Sequence, residues 1–273
     1  VSGYLRYLLT KEDEKLLELK KLMSGKAENY LMTARDFAEA GQFDMAIEIL
    51  RLSDSSTPMI HYYLGYYLLC EEKGGCWGDR AAYAESDCQD TASFREFEMA
   101  ERADPDCCFP NKLEDIEVLN AAIRVNPRGA KAYYYLGNLY YDKLQFERAI
   151  ELWEKSEELD DNYPTVHRNL ALACYNKQND RAKAKAELEK AFVLDQTDAR
   201  VFLELDQLYK KLGVSFEERI HNYEKHMELP KERDDLMLEL VTLYNLAGRY
   251  EKAYDTIMAH HFRPWEGAEG RVS

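Results

Sequence analysis

A small residue returns along this chain at a nearly constant interval. Gly137, Ala171, Asp206 and Val241 stand at equivalent places, in steps of 34, 35 and 35 residues. Around the first of them runs Tyr133-x-x-Leu136-Gly137-x-x-Tyr140, followed by Ala149-x-x-x-Trp153. An internal period of this size leaves little choice of architecture. Each unit is too short to bury its apolar face alone, so units must stack on their neighbours. The spacing of apolar residues inside each unit is helical, which predicts pairs of antiparallel helices and an all-α chain.

The pattern predicts one repeat array over 1–273, with a lead-in and a tail. Residues 1–25 read as a lead-in helix or pair, with Leu5, Leu8, Leu9, Leu16, Leu19 and Leu22 on a helical stripe before Ser24-Gly25. The stretch 27–126 is irregular. Its first unit, 27–58, carries Tyr30, Ala34 and Phe37, then Gly41 at the turn and Ala46 and Leu50 behind it. A second unit opens at His61-x-x-Leu64-Gly65-x-x-Leu68 and is broken by an insertion at 72–91, EEKGGCWGDRAAYAESDCQD. Helices are expected at 92–103 and 111–125, the latter with only Cys107-Cys108-Phe109-Pro110 in place of a helical partner. From 127 to 259 the units are regular: 130–163, 164–197 with one extra loop residue, 199–231 and 234–259. The tail 260–273, HHFRPWEGAEGRVS, leaves the pattern.

The repeats resemble tetratricopeptide repeats, whose small residues let two antiparallel helices close on each other while larger ones fill the adjoining holes. The resemblance implies an all-α right-handed superhelix of helical hairpins with a concave groove that holds protein or peptide. A second resemblance rests on YYLGNLYYDK, WEKS, PTVHRNLAL, DARVFLELDQLYKKLG, ERDDL and FRPWEGAEG. These strings are similar to the C-terminal portion of large bacterial proteins, in which a galactose-mutarotase-like β-domain precedes the repeats. That likeness implies a parent linked to carbohydrate. Val1 in place of an initiator Met is read as a cut end.

The formal net charge is −15. A cationic surface for nucleic-acid phosphate or anionic lipid is therefore not expected. No run of apolar residues reaches the ~18–20 needed to span a bilayer, and no signal peptide is visible. Localisation stays open, with a lean toward the cytoplasm. The six cysteines show no metal-ligand spacing and are read as reduced thiols, the alternative being a disulfide through Cys76 or Cys88 in an oxidising compartment. There is no phosphate loop, nucleophile elbow or His/Cys cluster, so no catalytic residue, cofactor or metal is assigned.

The candidate binding residues lie on the exposed face of the first helices, which floors the concave groove: Lys131, Tyr134, Asn138 and Tyr141; then Thr165, Arg168, Asn169, Leu172 and Tyr175; then Arg200, Leu203, Glu204, Gln207 and Lys210. Within the tetratricopeptide resemblance, Asn138, Asn169 and Arg200 match positions that grip a peptide carboxylate. Tyr134 and Glu204 stand where that class has basic residues. Asp206 and Arg219 occupy two positions that are small in the other regular units, and an ion pair across the hairpin is expected of them. Phe262 and Trp265 are expected to cap the last helix pair, the alternative being a contact that reaches another domain of the parent protein. The function expected is a non-catalytic scaffold or binding module, acting on another protein or on its own N-terminal domain. The alternative is an accessory part of the substrate site of a carbohydrate-active enzyme.

Overall fold

A computed structural model describes residues 2–10, 12–72, 91–105 and 108–262. Among them are sixteen α-helices and no strand, so the chain is an all-α repeat of helical hairpins. It forms two compact units, Val1–Asp161 and Asn162–Ser273.

The first unit contains α1 (Ser2–Thr10), α2 (Asp13–Met23), α3 (Ala27–Glu39), α4 (Phe43–Arg51), α5 (Pro58–Glu72), α6 (Ala92–Arg102), α7 (Leu113–Val125), α8 (Ala130–Asp142) and α9 (Phe146–Leu159). The lead-in is thus a pair of helices. Hairpins α3–α4, α5–α6 and α8–α9 follow, and α7 packs on α8 and α5. Most of the 72–91 insertion lies outside the described residues. Where α7 lacks a helical partner, an extended stretch runs past it, burying Cys108 and Pro110 and exposing Phe109 between them. Asp115 anchors that stretch by accepting from the Asn111 and Lys112 backbone N–H groups at 2.9 and 3.0 Å. Its other oxygen accepts from the buried Tyr63 hydroxyl at 2.7 Å. Cys70 is disulfide-bonded, which corrects the reading of this cysteine as a thiol; Cys108 and Cys174 are free and buried.

The second unit contains α10 (Pro164–Ala173), a π-helical turn (Cys174–Gln178), α11 (Arg181–Leu194), α12 (Ala199–Leu212), α13 (Phe216–Lys225), α14 (Glu228–Glu232), α15 (Asp234–Leu246) and α16 (Tyr250–Ala259). The extra residue expected in the 164–197 loop is instead absorbed by the π turn, which ends on Asn179 at φ 54°. Such one-residue insertions widen a helix locally without breaking it.

Steric fit explains the repeating small residue. A Cβ on Gly137 would sit 2.6 Å from the Trp153 ring, and one on Gly65 would sit 2.6 Å from the Phe97 ring. Trp153 then uses the proximity: its Nε1–H donates to Asn138 Oδ1 at 3.0 Å and to the Tyr134 carbonyl at 3.3 Å. The hairpin turns share one device. After α3, α8, α12 and α15 an N–H reaches back five residues: Gln42 to Phe37, Gln145 to Tyr140, Val214 to Tyr209 and Arg249 to Tyr244. This geometry requires a left-handed residue just before the donor. Gly41, Gly213 and Gly248 supply it, but in the α8–α9 turn the residue is Leu144, at φ 61°.

Candidate functional site

The predicted groove residues fall into two groups, one in each unit. In the first, Tyr134 is buried, not on an open face: its ring meets Tyr135 edge-on at 5.3 Å. Asn138 is occupied by Trp153. Tyr141 meets Phe146 edge-on and Trp153 at a tilt, with ring centroids at 5.0 and 5.2 Å. Lys131 donates through Nζ to the Ala103 carbonyl at 2.7 Å. All four hold their own unit together. Beside them Glu101, reaching from α6, accepts from the N–H groups of Lys131 and Ala132 and from the Tyr62 hydroxyl, at 2.8, 3.1 and 2.7 Å. It does for α8 what a capping side chain does locally. Burial raises its carboxyl pKa against these hydrogen bonds, which lower it.

In the second unit α10 and α12 carry a half-open polar face. Arg168 forks onto Glu204, Nε to Oε2 at 2.7 Å and Nη2 to Oε1 at 2.5 Å. The two residues are 36 apart, so the pair ties successive first helices together. Glu204 is thereby neutralised. Lys211 lies over the Tyr175 ring at 5.0 Å. Asn169 and Gln207 are half-buried beside them, and Arg200 is exposed. The Arg200 guanidinium forms no ion pair with a described residue, because Asp198 is used by the backbone N–H groups of Arg200 and Val201 to cap α12.

Asp206 and Arg219 meet in the interior of this unit. Arg219 donates through Nε and Nη2 to the two Asp206 oxygens, each at 2.7 Å. The same Nη2 reaches Glu239 at 2.9 Å, Lys210 Nζ also donates to Glu239 at 2.8 Å, and the Tyr223 hydroxyl donates to Asp206 at 3.1 Å. Asp206 is 4% exposed and Arg219 2%. Burial raises the Glu239 carboxyl, but the hydrogen bonds from Lys210 and Arg219 outweigh it and leave its pKa below the usual carboxylate value. Both Asp206 oxygens are thus taken by Arg219, one of them also by Tyr223. Glu239 is a member that the repeat pattern of α12 and α13 alone did not bring in, since it comes from α15. Trp265 lies outside the described residues.

The class defined by this architecture is a helical-hairpin repeat protein. A family model described as TPR repeat matches residues 137–178. Among solved structures the chain is similar to the C-terminal part of a TPR repeat-containing protein from Cytophaga hutchinsonii, at 16% identity, covering 94% of this chain and 92% of that one, with a TM-score of 0.47. It is similar to Pseudomonas aeruginosa pilF at 18% identity, 85% and 89% coverage and a TM-score of 0.43. It also resembles the first TPR of Spaghetti (RPAP3) bound to an HSP90 peptide, at 21% identity, 44% and 93% coverage and a TM-score of 0.37.

Proposed function

We propose that this chain is a non-catalytic binding or scaffold module that takes an extended protein or peptide segment on the α10–α12 face of its second unit. The observation that carries the reading is the state of the groove residues. Those of the first unit are used up in packing, whereas Arg200 and Gln207 are left uncommitted beside the Arg168–Glu204 fork. Amide and guanidinium groups suit a peptide because they meet backbone carbonyls and acidic side chains without requiring one sequence. With Glu204 held by Arg168, the face can accept an acidic segment. The partner is a separate protein or another domain of a longer parent chain.

A peptide-display library selected on the purified chain tests this. The expected result is an enriched peptide family that binds saturably and weakens about tenfold or more with Arg200→Glu and Gln207→Glu together. Lys190→Glu, away from that face on α11, leaves binding unchanged. Absence of enrichment, or peptides indifferent to the groove substitutions, overturns the reading.

A further inference from the structure

The hairpin α12–α13 differs from its neighbours in how its second helix ends. Helices α9 and α11 run for 14 residues each, but α13 stops after 10, at Lys225. Seven residues beyond Ala149, Ala184 and Arg219 the three hairpins carry Ser156, Ala191 and His226. The α12–α13 hairpin therefore holds Asp206, Arg219 and His226 where the others hold only small side chains. Its two backbones do not draw together as those of α8–α9 or α10–α11 do. The gap left between α11, α12 and α13 is a cleft of about 380 Å³, a volume in the range of small-molecule sites.

Its chemistry is distinctive. Phe192, Phe202 and His226 form an aromatic wall, with ring centroids 5.0–5.8 Å apart, and Tyr209 also lines the cleft. His226 is only 8% exposed, and its Nδ1 stands 3.7 Å from Glu228. The two acids of the lining are already engaged, Glu189 by the Tyr209 hydroxyl at 2.7 Å and Asp206 by Arg219. Lys225 is the charged lining group with no ion pair to a described residue. Planar rings offset on one another gain beyond area burial, and an uncompensated ammonium at the rim selects an anion.

We propose that this cleft binds a small planar aromatic molecule carrying a carboxylate, its ring against Phe192, Phe202 and Tyr209 and its anionic group at Lys225. His226, also in the lining, adds an imidazole edge to the aromatic wall. The site does not overlap the α10–α12 face and does not depend on peptide binding there.

The probe is 2-naphthoate, titrated calorimetrically into the purified chain, with the neutral 2-naphthalenemethanol as comparison. The expected result is saturable binding of one 2-naphthoate per chain. Val193→Trp, at an exposed wall, and Asn222→Trp, at a half-buried one, fill the cleft and weaken it about tenfold or more. Lys225→Gln weakens the carboxylate by about threefold and leaves the alcohol unchanged. Melting temperatures of the three variants, equal to that of the parent, show that the fold is intact. No saturable binding to the parent overturns the proposal, as does unchanged binding to both Trp variants; equal loss of acid and alcohol with Lys225→Gln overturns the anionic group.

Discussion

The hairpins α8–α9 and α12–α13 are built on one spacing and closed by different physics. In the first, Gly137, Ala149 and Ser156 let the helices touch, and Trp153 fills the seam against the backbone. In the second, Asp206, Arg219 and His226 stand at those places, and the seam is bridged by a bidentate ion pair with Tyr223 and Glu239. Apolar closure leaves no room, and a gap of one Cβ is already too much. Polar bridging holds the helices at a distance and opens a cleft at the short end of α13. One repeat thus gives up close packing and keeps its position in the array, because the guanidinium reaches where a methyl group cannot.

The largest test breaks the bridge. Asp206→Ala leaves a buried guanidinium short of its main partner and is expected to cost about 3–5 kcal/mol in denaturant unfolding. Asp206→Leu with Arg219→Met, apolar at similar volume, is expected to cost less than that single change. If the double variant is the worse of the two, the ion pair is more than a spacer.

The complementary change in the apolar hairpin is Gly137→Ala. The added Cβ meets the Trp153 ring at 2.6 Å, so a loss of about 1–3 kcal/mol by thermal or denaturant unfolding is expected. A neutral result means that Trp153 can swing out, and that the seam is softer than its geometry.

Acid separates the two hairpins. The Glu239 carboxyl is lowered in the folded chain, so the stability it contributes is present above the unfolded carboxylate value and is lost as pH falls through the folded one. His226, lowered by burial and by Lys225, works in the same direction: its contribution is present above the ordinary imidazole value and is lost on acidification. Hydrogen exchange, corrected for intrinsic rates, is expected to show α12, α13 and α15 losing protection between neutral pH and about pH 4 before α8 and α9 do. Equal loss in both regions removes the assignment.

The smallest effect is in the turns. Leu144 holds φ 61° with its side chain 73% exposed, where the α12–α13 turn uses Gly213. Leu144→Gly relieves a left-handed strain of about 1–2 kcal/mol but adds freedom to the unfolded chain, for a net gain of about 0.5–1 kcal/mol. A melting temperature that does not rise shows that the turn carries no strain.

Much of this was readable from the residues. The period placed the hairpins, Gly137 and its counterparts marked where paired helices could approach closely, and Asp206 with Arg219 stood out as paired departures from one pattern. The exposure of the first-unit groove was not readable. Tyr134 follows the same helical periodicity as a surface residue, and only the neighbouring Tyr135 ring and helix packing decide that it is buried. The path of 108–112 was visible only as missing helical signal; Asp115, accepting from two backbone N–H groups and Tyr63, sets its course.

By itself the sequence determined the all-α hairpin repeat, because periodicity of small and large side chains is a local property that each unit states again. Tertiary structure alone decided which polar residues are spent and which are left over. That depends on partners contributed by other elements: Glu204 for Arg168, Glu239 for Arg219, Glu101 for the start of α8. The cleft beside His226 is of the same kind, since a gap is a property of three helices together and no single one of them encodes it.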